Sequence, residues 1–201
     1  MITPEELQLK IKKKILPLDL EYPIFKFVSS EYREHLRNIN LCYAWLAASV
    51  KVWKPKRIVE LGAAYGASTL ALYHNKSEYC KLVSVDNNSK WVFVTSTMVN
   101  DQDGLKLVIE DDLKAPKEFP SLFHDIDYLF IDTEHNYEQI SKEWEIYKPF
   151  LSDKALVVLD DINVGDMNKF WEELKYPKLD ISQYHDSGFG FFIFNREDNA
   201  K

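Results

Sequence analysis

Cysteine is nearly absent: 201 residues hold only Cys42 and Cys80, without pair spacing. That excludes a disulfide scaffold and makes a reducing, cytoplasmic setting with two buried free thiols the expectation. Basic residues are outnumbered, 25 against 32 acidic, for a net charge of −7. Nucleic acid needs a basic footprint, so it is not expected as a partner. No apolar run approaches the roughly 20 residues of a membrane span, so no membrane partner is expected. The opening MITPEELQLKIKKKIL scatters charge where a secretory signal would be apolar. Internal repeats, low-complexity tracts and Gly/Ser linkers are missing too. Glycine is scarce, six in all, yet Gly62 and Gly66 stand in one short stretch.

What is present suits a folded domain, at 46% hydrophobic and 28% charged residues. The length fits a single domain over 1–201, with 1–29 as an N-terminal extension and 30–201 as the core. Thr3 as cap and Pro4 in the first turn predict a helix over 3–16. Residues 17–28 read as extended and apolar, and 30–53 as a helix striped by Tyr32, Leu36, Ile39, Tyr43, Leu46 and Val50. Strands are then expected at 57–61, 81–86, 105–109, 127–132 and 155–160, and helices at 66–74, 88–100, 136–150 and 166–175. This alternation predicts an α/β fold with a parallel sheet covered on both faces. The aromatics of 136–150 (Tyr137, Trp144, Tyr147) read as core. The end, ISQYHDSGFGFFIF, reads as two strands around Asp186, Ser187 and Gly188.

Chemistry concentrates where strands end. RIVELGAAYGASTLAL (57–72) runs a short strand into Glu60, Gly62 and Gly66 and then opens a helix. Glycine lets a ligand approach bare backbone, and the helix start offers free N–H groups. On this reading a bulky side chain at Gly62 would cost ligand binding and leave the fold intact. Glu60 suits a ligand with positive charge. The spacing is G-x-x-x-G, unlike the G-x-G-x-x-G of dinucleotide folds. Asp86 ends the strand KLVSVD, Glu110, Asp111 and Asp112 end LKLVIEDD, Asp132 closes DYLFID, and Asp160 and Asp161 close ALVVLDD. Asp86 could equally cap a helix over Asn87–Lys90, and Asp111 and Asp112 could be a solvated turn.

The loop resembles motif I of class I S-adenosylmethionine (SAM) methyltransferases, and most of all the small O-methyltransferases related to catechol O-methyltransferase. FID-x-x-H followed by the LDD turn, and the closing hairpin, extend the likeness over roughly 30–194, toward the macrolide-sugar and cephalosporin-type (methyltransferase family 24-like) group. The resemblance implies a Rossmann-like, mostly parallel seven-stranded sheet with an antiparallel C-terminal hairpin. It implies that SAM is held by Glu60, Gly62, Ala63, Tyr65, Gly66 and Ser68, by Asp86 and Asn87 at the ribose, by Asp111 with its neighbour Asp112 at the adenine, and by Asp132. Asp132, Asp160 and Asp161 would converge, and a divalent ion such as Mg²⁺ would relieve their repulsion. Catechol-type enzymes carry Asp, Asp and Asn there, so Asp161 departs from that pattern. His135 would be the general base, neutral near pH 7 at an ordinary pKa. His35, His74, His124 and His185 read as surface or packing residues, His185 being the one whose hairpin can border the pocket.

The expected reaction is O-methylation of a small molecule or sugar, with Asp132 and His135 catalytic. The alternatives are a metal-independent N-methyltransferase, an NAD-dependent oxidoreductase and a SAM-binding module without catalysis. The aromatic-rich N-terminal half could supply a homodimer surface.

Overall fold

The computed structural model describes residues 2–15, 40–90 and 104–199. The expected extended run 17–28 lies outside them, as do residues 30–39 of one expected helix and 91–100 of another. Helix α1 (Pro4–Lys12) opens on a capping box, in which Thr3 Oγ1 accepts from Glu6 N and Thr3 N donates to Glu6. Helix α2 (Asn40–Trp53) ends at Lys54, which turns left-handed (φ 57°) before Pro55.

Strand β1 (Arg57–Leu61), helix α3 (Ala67–Tyr73), β2 (Lys81–Asp86), β3 (Leu105–Ile109) and the short α4 (Ala115–Glu118) follow. Then come β4 (Ile126–Ile131), α5 (Tyr137–Tyr147), β5 (Leu151–Asp160), α6 (Met167–Glu173), β6 (Lys178–Asp180) and β7 (Phe189–Asn195). The seven strands lie in the order β3-β2-β1-β4-β5-β7-β6. All pairs are parallel except those of β7, which runs antiparallel to β5 and β6.

Alternation along β1 sends Ile58 to one face and Val59 and Leu61 to the other. The first face packs under α1, α2 and α3 with Trp45, Tyr128 and Phe191; the second packs under α5 and α6 with Trp144, Tyr147 and Phe192. Parallel register places Leu61 beside Ile131 and Ile131 beside Leu159. The residues just past those positions, Gly62, Asp132 and Asp160, are therefore neighbours at one sheet edge.

The closing hairpin differs from the expected one. Its first strand is β6 at 178–180, and 181–188 is a connector with a 3-10 turn at Ser182–Tyr184. Asp180 explains the early break: its carboxylate accepts from Ser182 N at 2.8 Å and from Ser182 Oγ at 2.5 Å, which caps the turn. The connector instead carries His185 and Ser187 toward the strand ends.

Candidate active site

The loop after β1 is held by backbone and by Asp86. Gly62 and Gly66 take φ of 86° and 81°, values open to glycine. Gly62 N donates to Val85 O, and Asp132 N to Leu61 O, both at 2.9 Å. An added Cβ on Gly62 would lie 1.7 Å from Asp132 O. The chain leaving β4 therefore requires glycine here by itself, before any ligand enters the groove that Gly62 lines. Asp86 Oδ2 accepts from Ala63 N (3.1 Å) and Ala64 N (2.8 Å), and Oδ1 accepts from Asn88 N (2.7 Å). One carboxylate thus shapes the loop and the turn after β2 while facing the groove between them.

Two cavities open over the strand ends. One, of about 290 Å³, is lined by Gly62, Asp86, Asn87, Glu110, Asp112, Thr133 and Gln139 among others. The second, of about 310 Å³, is lined by Tyr43, Ala63, Ser68, His135, Asp160, Asp161, His185 and Ser187 among others. Ala64 and Asp132 border both. A larger hollow of about 660 Å³ between α5 and α6 carries none of these groups.

Several expected residues stand elsewhere than foreseen. Glu60 lines neither cavity: it is fully buried behind the loop, its Oε2 accepting from Thr69 Oγ1 and Ser84 Oγ at 2.6 Å each. Its Oε1 is buried without a hydrogen-bond partner among the described residues. Burial lifts its carboxyl to about 7 against the pull of the surrounding hydroxyls. Tyr65 packs against the core, and Gly66 caps α3. Asp111 does not line the groove; it pairs with Lys114 at 3.0 Å and accepts from Leu113 N. Asp112 is the groove residue, and Gln139 Nε2 donates to both of its carboxylate oxygens.

Gln139 also donates to Glu143 Oε1 at 2.9 Å, and Thr133 Oγ1 donates to the same oxygen at 2.6 Å. Nothing in the sequence marked Glu143, since it sits on an amphipathic helix where carboxylates are ordinarily solvated. Burial, with Asp112 beside it, pushes its carboxyl from 4.5 up to about 9. It is therefore protonated in the folded protein at neutral pH. The unfolded chain loses this proton near 4.5 and the folded chain keeps it to about 9, so folding stability falls as pH rises between those values. Glu143→Gln removes that slope. The variant should gain on the order of 1–3 kcal/mol over the parent between pH of about 5 and about 8, read as a widening difference in Tm across that range.

The three aspartates proposed to share an ion fall into two groups. Donor atoms of Asp132, His135 and Asp161 lie within 4.8 Å of one another, whereas Asp160 groups with Cys42 and His185. His135 Nε2 is 2.8 Å from Asp161 Oδ2 and 3.6 Å from Asp132 Oδ1. His185 Nδ1 is 2.8 Å from Asp160 Oδ1, and Ser187 Oγ donates to Asp161 Oδ1. Two imidazoles thus lie against the carboxylates whose repulsion a cation would relieve. Burial and Asp160 lift the Asp132 carboxyl to about 7. Hydrogen bonds to Asp132 and Asp161 hold His135 up to about 10, so it rests as an imidazolium rather than the neutral base expected from its ordinary pKa. Asp161 itself sits at a left-handed φ of 54°, a strained conformation of the kind found at functional sites. The mixed carboxylate and imidazole donors fit a divalent cation with oxygen and nitrogen ligands. The acid-rich first cavity fits a ligand that carries positive charge.

The family model described as methyltransferase domain matches residues 59–162. Over 126 residues the chain is 24% identical to the O-methyltransferase hkm8 of Aspergillus hancockii, covering 61% of this chain and 47% of that protein. The chain thus spans about half the length of that curated relative. A methyltransferase structure from Geobacter sulfurreducens superposes with a TM-score of 0.68 at 16% identity, covering 96% of this chain and all (100%) of the other. The O-methyltransferase TomG of Streptomyces achromogenes, in complex with SAM, gives 0.69 at 14% identity, over 96% and 98% of the two chains. No described helix is long and apolar enough to cross a membrane.

Proposed function

The chain belongs to the methyltransferase-domain family, and from that premise we propose that it moves the methyl group of SAM to a hydroxyl oxygen of a small molecule or sugar. One observation carries this reading. Two cavities meet at Ala64 and Asp132, one acid-lined at the glycine loop, the other holding His135 with the aspartates. SAM, when bound, supplies an electrophilic methyl on a sulfonium.

Asp86 and Asn87 would take the ribose hydroxyls, since a carboxylate accepts well from a vicinal diol. Asp112, steadied by Gln139, would meet the adenine amino group. The loop from Gly62 to Gly66, with Ser68 at the start of α3, would hold the methionine end. Asp132, on the border of both cavities, would face the point where the two reactants meet. The acceptor hydroxyl would lie beside His135. His135 would act once its imidazolium has released the Nε2 proton to solvent, with Asp161 Oδ2, 2.8 Å away, orienting the ring. Such positioning is worth several kcal/mol in a displacement. A divalent cation, Mg²⁺ or a similar ion, belongs to the same reading. Asp132 and Asp161 would hold it through their carboxylates, leaving His135 as the base, and its Lewis acidity would favour the alkoxide. The relatives named O-methyltransferases support oxygen as the acceptor atom.

Calorimetric titration with SAM and with NADH, followed by assay of S-adenosylhomocysteine release over a panel of hydroxyl acceptors, tests the reading. SAM should bind and NADH should not; the reverse would make the chain an oxidoreductase. Asp86→Asn should weaken SAM by roughly 10- to 100-fold, the worth of a charged hydrogen bond. An unchanged affinity would remove Asp86 from the ribose.

A further inference from the structure

One group of metal-binding side chains is left over by this reading. Cys42 of α2, Asp160 at the end of β5 and His185 of the connector before β7 bring sulfur, oxygen and nitrogen donors within 4.8 Å of one another. They come from three separate segments and meet where the sheet edge, α2 and the connector pack. His185 Nδ1 lies 2.8 Å from Asp160 Oδ1 and 3.8 Å from Asp161 Oδ1. Ser187 Oγ lies 3.2 Å from either ring nitrogen. Cys42 is buried, whereas Asp160 and His185 line the second cavity, which gives an ion a way in.

We propose that Cys42, Asp160 and His185 form a binding site for a borderline transition-metal dication of the Zn²⁺ or Co²⁺ kind, distinct from the Asp132, His135 and Asp161 group. Thiolate and imidazole donors select such ions, while Mg²⁺ asks for an octahedral shell of oxygens. Three protein ligands with a position left toward a cavity is the arrangement of reactive rather than purely structural zinc. As the ion enters, the proton of Cys42 Sγ and any proton on the ligating ring nitrogen of His185 leave to solvent, and the bound thiolate and carboxylate balance the two positive charges. The site does not depend on the methyl-transfer reading, because its donors stand whatever the first cavity binds.

The test uses the full chain stripped with a chelator and titrated with Co²⁺. A thiolate-to-cobalt charge-transfer band should grow in the near ultraviolet and saturate at one equivalent. Zn²⁺ should displace it and Mg²⁺ should not. The band should be lost in Cys42→Ser and in His185→Ala and be kept in Asp132→Asn. Absence of the band, its survival in Cys42→Ser, or its loss in Asp132→Asn would overturn the proposal. If circular dichroism shows Cys42→Ser unfolded, His185→Ala decides, since a band retained there overturns the site equally. SAM titration of the same stripped protein reports separately on the methyltransferase reading.

Discussion

Gly62→Val should leave little folded protein. The glycine lies at φ 86°, where a β-branched residue is a steric outlier. Its missing Cβ is the larger problem: built onto the backbone, it stands 1.7 Å from Asp132 O and 2.7 Å from Asp132 C. Those atoms belong to the chain leaving β4, held by Asp132 N donating to Leu61 O. They cannot rotate away as a flexible side chain could. Relief requires parting β1 from β4 in the centre of the sheet, where Val59, Leu61, Leu129 and Ile131 are all buried. The cost should reach about 4 kcal/mol or more, in the range of the most damaging single substitutions, and the whole stability of a domain is only about 5–15 kcal/mol. Even Gly62→Ala should lower Tm sharply. The measurement is expression yield and thermal unfolding beside the parent. A Gly62→Val protein that melts normally and merely fails to bind SAM would restore the simpler view, that the glycine serves the ligand alone.

That view is what the sequence invites, and its correction shows where reading a chain runs out. Strand ends, glycines and acids are local, so the succession of strands along the chain and the position of Asp86, Asp132, Asp160 and Asp161 at their ends are legible from apolar runs and the residues that stop them. What those groups touch is not local. Gly62 answers to a carbonyl seventy positions on, Glu60 turns out to brace α3 and β2 through Thr69 and Ser84, and Asp112 rather than Asp111 faces the groove. The closing hairpin is misplaced because an apolar run such as GFGFFIF announces a strand but says nothing of its partner. A single Asp180 cap decides that the partner ends early. Cys42 gives no signal at all, since α2 is apolar along most of its length and a buried thiol fits any such helix. Only the fold brings it to His185 and Asp160. His185 carries a partial signal, being the one histidine besides His135 on a segment that borders the strand ends.

His135→Ala should cost about 10²- to 10⁴-fold in kcat, the span of a general acid–base contribution, while SAM affinity changes by a few-fold at most. The separation follows from geometry. His135 lines the second cavity and does not line the one that holds Asp86, Asn87 and Asp112. Its loss removes the group that receives the acceptor proton and leaves the proposed nucleoside contacts in place. It also leaves Asp161 without its 2.8 Å partner, so part of the effect could be a collapse of the acceptor cavity rather than loss of a base. Asp161→Asn separates the two. If His135 is the base, that variant keeps the cavity filled and a hydrogen-bonding oxygen, yet loses a charge that holds the ring protonated. The pH at which kcat rises should therefore move down while the acceptor KM stays near the parent value. Equal losses of kcat and SAM affinity in His135→Ala would assign His135 a structural role. A large rise in acceptor KM with kcat unchanged in Asp161→Asn would make the pair a binding element, and the proton would then have to leave through Asp132, the remaining carboxylate on the border of both cavities.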